Sequence, residues 1–193
     1  MSGATMAVDT ETRVVPGQAG MWFFILFEAF LFTSYFTVYM VCRSRDVELY
    51  LASQVHLSIK IGAINTLVLL VSSWSMARCV QAARGGDLCE AKQQLLATAA
   101  FGVLFLLVKV GEWVAEIGNG FTFTLNDFSM FYYFLTGMHF LHLLIGFGFL
   151  GVVMAQLQQP NARTQVIVET GATYWHMVDF LWIMIFALLY VIR

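Results

Sequence analysis

The chain has 193 residues, 60% of them hydrophobic and only 11% charged, with a mean hydropathy of +0.76. An ordinary soluble globule carries about 45–50% apolar and about 25% charged residues, so these figures exclude one and point to a membrane protein. With 10 Lys and Arg against 12 Asp and Glu the net charge is −2, which leaves no basic field to hold nucleic acid.

The first 17 residues are polar, mildly acidic and Gly-containing, which predicts a disordered tail. They contain no basic leader region, and the apolar segment after them has no small-residue cleavage site, so that segment is expected to be retained. A charge at the bilayer centre costs about 2.5–3.5 kcal/mol, so gaps between charges locate the membrane spans. From Arg13 to Arg43 the only ionisable residue inside the apolar run is Glu28, which predicts a helix over 18–42. Seventeen uncharged residues between Lys60 and Arg78 mark a second span at 60–80. Sixteen between Lys92 and Lys109, continued by apolar residues towards Ile117, mark a third at 93–117. The 35 uncharged residues between Asp127 and Arg163 are too few for two spans of about 20 plus a turn, so they form one long helix, 129–158, ended by Pro160. The last span, 169–192, is interrupted only by Asp179. At about 1.5 Å per residue each segment can cross roughly 30 Å of hydrocarbon, and no alternating strand pattern of about 10 residues appears. The expected fold is therefore all-α: a polytopic five-transmembrane-helix bundle, one domain over 18–193 behind the tail 1–17.

Two loops, Arg84-Gly85-Gly86-Asp87 and Gln159-Pro160-Asn161, carry turn residues and should lie on the N-terminal side. The charge bias does not orient the bundle: Arg13, Arg78, Arg84, Lys92 and Arg163 on that side face Arg43, Arg45, Lys60 and Arg193 on the other. Cys42, Cys79 and Cys89 show no CxxC spacing and read as inert thiols. Gly137, Gly146, Gly148 and Gly151 are expected to thin the fourth span so that a neighbouring helix approaches closely.

Counting helical rise places Glu28, His142, His176, Asp179, Ser72 and Ser73 at similar depth, about 9–15 Å inside the N-terminal face, with His139 one turn nearer the midplane. A carboxylate beside an imidazole stabilises its protonated form or fixes its tautomer, so Asp179 is the expected partner of His176 at i,i+3. Two readings fit this layer: a proton-relay or ligand site, or interhelical hydrogen bonds that fix the register of the bundle. Glu28 stands apart among Phe23, Phe24, Phe27, Phe30 and Phe32, surroundings that favour its neutral form. Lys109 and Glu112, also at i,i+3 and followed by Glu116, fall near the far interface by the same arithmetic. They are expected to pair and snorkel there. Tyr132, Tyr190, Trp113 and the other span-end aromatics fit interfacial belts and packing.

These residues carry a resemblance. Thr136-Gly137-Met138-His139-Phe140-Leu141-His142 resembles the TGxHxxH segment of subunit III of haem-copper oxidases, and the stretch from Tyr174 to Trp182 is similar to that family's YWHxVDxxW. Glu28 within its Phe-rich helix resembles the position of the family's carbodiimide-reactive carboxylate, and Asn65 to Leu70 its LNTxxLL. Glu112-Trp113 stands where the family usually has Glu-Tyr. The likeness covers about residues 18–193 and lacks two N-terminal helices of the mitochondrial type, which help form a lipid-filled cleft there. Ala52-Ser53-Gln54, Ser72-Ser73-Trp74, Val108-Lys109 and Asn126-Asp127-Phe128 look most like the NorE-type branch, associated with nitric oxide reductase.

The resemblance implies a non-redox accessory subunit in a bacterial inner membrane, N-terminus cytoplasmic, packed against a haem-copper catalytic subunit or the large subunit of a nitric oxide reductase. It further implies support of the partner's stability, sustained turnover and proton uptake, and bound phospholipid. Haem and copper or iron would belong to the partner, with no cofactor, metal or catalytic residue of this chain's own. Glu28 would be the buried carboxyl near partner or lipid, and His139, His142, His176 and Asp179 the internal polar framework. Two other classes are a haem b-binding membrane cytochrome, using His142 and His176 as axial ligands, and a small proton-conducting transporter. Against the first stand the lack of a second histidine pair and Asp179 as a competing partner. Against the second stands the absence of an inverted repeat.

Overall fold

The computed structural model describes residues 18–192, so the expected disordered tail lies outside the described residues. Among these, all regular structure is helical: α1 Ala19–Arg45, α2 Val47–Gln54, α3 Ile59–Arg84, α4 Leu88–Gly118, α5 Asp127–Gln158 and α6 Thr164–Phe186. The last of these runs on into a π-helical turn, Ala187–Val191. Five helices are long and apolar enough to cross a membrane, the short α2 being the addition to the expected set.

The helices overrun the charge-defined spans because a polar residue at a helix end caps the backbone rather than stopping it. Asp87 accepts from the amides of Cys89 and Glu90 at 3.1 and 2.9 Å, starting α4 at Leu88 instead of 93. Asn126 and Ser129 form a reciprocal capping box that starts α5 two residues early. The last span begins five residues before its expected start, because Glu169 lies inside α6 and pairs with Arg84 across the bundle at 2.8 Å. Asp46 caps α2 by accepting from the Leu49 amide, which turns the α1–α3 connection into a helix.

Contacts at the two ends fix the topology. The Gln18 amide donates to Thr170 Oγ1 at 3.2 Å and Arg84 meets Glu169, so both turn loops lie on the side where α1 begins. At the opposite end Arg43 Nη1 donates to the Ile192 carbonyl at 2.7 Å, and Gln54 Nε2 donates to the carbonyls of Leu189 and Ile192 at 3.1 and 3.0 Å. The spans therefore alternate in direction. α6 is the most buried of them and α1 the least. Trp175 of α6 is clamped between two glycines: a Cβ on Gly102 would stand 2.9 Å from its ring and one on Gly146 3.1 Å. Of the four α5 glycines expected at a close contact only Gly146 makes one; Gly137, Gly148 and Gly151 face open space. Their 100° spacing puts them on other faces of the helix.

Candidate functional site

Glu28 of α1 does not stand alone. Its Oε2 lies 3.2 Å from Nε2 of His142 on α5, and the two side chains are nearly buried, with Phe32 edge-on to the imidazole at 5.5 Å. His142 Nδ1 lies 2.8 Å from the Met138 carbonyl one turn back. A carbonyl only accepts, so Nδ1 carries a hydrogen, and the Nε2···Oε2 contact then needs a second proton between imidazole and carboxyl. The pair holds that proton either as carboxylic acid with neutral imidazole or as carboxylate with imidazolium. Tyr174 of α6 donates its hydroxyl to the His142 carbonyl at 3.1 Å, tying a third helix to the same spot. Both ring nitrogens of His142 are occupied, so axial ligation of a haem iron would have to break one of these contacts.

The expected pairing of His176 with Asp179 is corrected by the structure. His176 Nδ1 is 2.7 Å from Ser73 Oγ on α3, and both oxygens of the buried Asp179 carboxyl lack a hydrogen-bond partner among the described residues. His176 turns instead to α3 and the outer groove, where Ser73 holds it, while Asp179 is 3% exposed inside the bundle. His139 is 1% exposed and sits between the rings of Phe105 and Trp182, with neither nitrogen hydrogen-bonded to a described residue. Ser72 links three helices: its hydroxyl donates to the Thr98 carbonyl at 2.9 Å and accepts from Trp175 Nε1 at 3.2 Å.

The snorkelling placement of Lys109 and Glu112 is also corrected. Lys109 is 1% exposed, and its ammonium donates to Glu112 Oε2 at 3.0 Å, Tyr132 OH at 3.1 Å and Tyr190 OH at 2.7 Å. Tyr190 in turn donates to Glu112 Oε1 at 2.6 Å. The physical reason is a stripe: the buried residues of α4 run Leu95, Thr98, Gly102, Phe105, Lys109, Glu112, Glu116 at spacings of three and four, so the pair continues the core face. That spacing was the available signal for burial. Tyr132, Tyr190 and Gln54, which complete this end, had no comparable one. Among the described residues no group of three or more His, Cys, Asp or Glu is placed to hold a metal ion.

The family model for cytochrome c oxidase subunit III matches residues 2–192. The chain is 30% identical to cytochrome c oxidase subunit 3 of Thermostichus vulcanus over 98% of this chain and 94% of that one. It is 29% identical to cytochrome c oxidase subunit 3 of Synechocystis sp., over all of this chain and 88% of the relative. It is 26% identical to quinol oxidase subunit 3 of Bacillus subtilis, over 98% and 93% respectively. The chain belongs to the cytochrome c oxidase subunit III family.

In this subunit III the two long motifs pack on each other. The 136–142 segment contributes His142 to Glu28 and its carbonyl to Tyr174. The 174–182 segment contributes Trp182, which contacts His139 at 5.2 Å and donates to Thr66 Oγ1 of α3 at 3.0 Å. The branch-like residues also have definite contacts: Ser53 accepts from Asn126 Nδ2 at 3.0 Å, Gln54 holds the C-terminal carbonyls, and Lys109 anchors Tyr190. The membership, five apolar spans and helical fold together make this a multi-pass membrane protein.

Proposed function

We propose that this subunit III is a non-redox accessory subunit of a bacterial respiratory complex, seated beside a haem-copper catalytic subunit in the inner membrane with its N-terminus cytoplasmic. The single observation that carries the reading is the family match over nearly the whole chain. The architecture supports it: α1, the least buried span, presents Phe23, Leu26, Phe27 and Phe30 outward, an apolar surface fit for a neighbouring helix or for phospholipid. Directly behind that surface lies Glu28 with His142. A buried pair sharing one proton is suited to influence proton uptake in an adjacent subunit, and Glu28 is assigned that role.

The partner's acceptor is oxygen or nitric oxide. The oxidase names of the relatives favour oxygen, and the nitric oxide alternative rests on the sequence likeness of the 52–54, 72–74, 108–109 and 126–128 segments to the NorE-type branch. The test is affinity purification of the tagged chain from its native membrane, with mass spectrometry of the copurifying membrane protein and a visible spectrum. The expected result is a stoichiometric haem-bearing large subunit of the haem-copper class, whose sequence names the acceptor. Purified complexes that never contain one would overturn the proposal.

A further inference from the structure

Beside the Glu28–His142 pair, with Phe32 common to both, α1 and α6 enclose a groove of about 490 Å³, inside the range of about 300–1,000 Å³ typical of small-molecule sites. Its walls are apolar and rich in rings, with Trp22, Phe32 and Phe36 from α1 facing Phe180 and Met184 from α6. One ionisable side chain lines it, His176. The imidazole is tied by Nδ1 to Ser73 Oγ at 2.7 Å, and no described residue bonds its Nε2.

Depth and hydrogen-bond chemistry narrow the occupant. His176 lies seven residues beyond Glu169 on α6, about 10 Å deeper than the Arg84–Glu169 ion pair that marks the N-terminal face. Arg84 and Glu169 line an adjoining cavity that shares Thr173 and His176 with the groove, but they bond each other at 2.8 Å about 10 Å nearer the face. A phosphate or ammonium headgroup drawn down to His176 would leave them behind, so the group that meets His176 is neutral. The Ser73 hydroxyl both donates and accepts. When it donates to Nδ1, the imidazole presents Nε2–H as a donor; when it accepts, Nε2 becomes an acceptor. A site that can offer either role suits a molecule that exchanges a carbonyl for a hydroxyl at the same position.

We propose that the α1–α6 groove binds a prenylated quinone, with a ring oxygen on His176 Nε2, the ring against the aromatic wall, and the isoprenoid tail along Phe180 and Met184. The quinone carbonyl takes the donor form of His176 and the quinol hydroxyl takes the acceptor form, so both oxidation states bind with similar affinity. No electron transfer to this chain is involved. The site needs no partner subunit, so its test and the copurification test of the accessory role fail independently.

The experiment uses the full chain in phospholipid nanodiscs, photolabelled with an azido derivative of decylubiquinone and mapped by peptide mass spectrometry. Label should concentrate on residues 22–36 and 173–184 and be displaced by excess decylubiquinone or its quinol within about threefold of each other. Ala29→Trp fills the groove from a position exposed on its lining and should reduce specific labelling at least tenfold. His176→Phe keeps the bulk and removes the nitrogen, and should weaken competition about tenfold. Label spread evenly over all exposed helix faces, or unchanged by Ala29→Trp in a monodisperse sample, would overturn the proposal. So would tightly retained phospholipid that Ala29→Trp expels while quinone labelling stays the same.

Discussion

Replacing Lys109 by Met tests whether the buried cluster at the far end of the bundle is an ion pair held by its surroundings. The substitution keeps the length of the side chain and removes three hydrogen bonds, to Glu112 at 3.0 Å, Tyr132 at 3.1 Å and Tyr190 at 2.7 Å. Hydrogen bonds to charged groups contribute about 1.5–3 kcal/mol each, so three set an upper bound near 9 kcal/mol. Relief of the ammonium's own desolvation offsets much of that, and breaking one side of a buried pair costs about 3–5 kcal/mol. What remains is Glu112, 8% exposed, with the Tyr190 hydroxyl at 2.6 Å and no countercharge bonded to it. Removing both charges in Lys109→Met with Glu112→Leu should recover to within about 3 kcal/mol of wild type, because neither member of the pair is left alone and the remaining loss is that of the Tyr132 and Tyr190 hydroxyls and of Glu116, which is buried beside Lys109. Glu112→Leu alone breaks the other side of the pair at a similar cost, so unfolding in mixed micelles, run as a double-mutant cycle, predicts a coupling of at least about 3 kcal/mol. Wild-type stability of the single variant, or losses that simply add in the double variant, would refute the reasoning.

Four further outcomes follow from the same geometry. Glu28→Gln keeps a hydrogen-bonding group opposite His142 and should leave folding within about 1 kcal/mol, while changing turnover or proton uptake of the purified complex; Glu28→Leu should cost about 1–3 kcal/mol in a detergent melt. Gly171→Ala places a Cβ 2.6 Å from Val153 Cγ2 and should destabilise by about 1–3 kcal/mol, whereas Gly148→Ala, with open space around it, should stay within about 0.5 kcal/mol in the same melt. Gln54→Ala strands the Leu189 carbonyl and leaves the Ile192 carbonyl to Arg43 alone, at about 1–3 kcal/mol, and hydrogen exchange should accelerate over the π turn before the rest of α6. Asp179→Asn removes a carboxyl that has no hydrogen-bond partner among the described residues, so it should be neutral or stabilising in the melt, where loss of a His176 partner would have been destabilising.

The amino-acid sequence alone determined that this chain is a bundle of five membrane helices, which segments span, and, apart from Lys109 and Glu112, which ionisable residues would be polar islands inside it. Charge spacing settles these matters because the desolvation of an ion is a local property of the segment carrying it. Glu28 and the ionisable residues of both long motifs were legible for the same reason, as polar groups in apolar runs, whereas the motifs themselves were legible through their resemblance to the subunit III family. The tertiary structure decided the pairings. Glu28 meets His142 across 114 positions of sequence, Ser73 takes His176 from Asp179 across 103, and Lys109 reaches Tyr190 across 81. Helical rise along one axis gives depth but not the rotation of each helix about that axis. Rotation is set by packing: by Trp175 seated between Gly102 and Gly146, and by a π turn that carries Tyr190 inward while Gln54 and Arg43 take up the carbonyls at the chain's end.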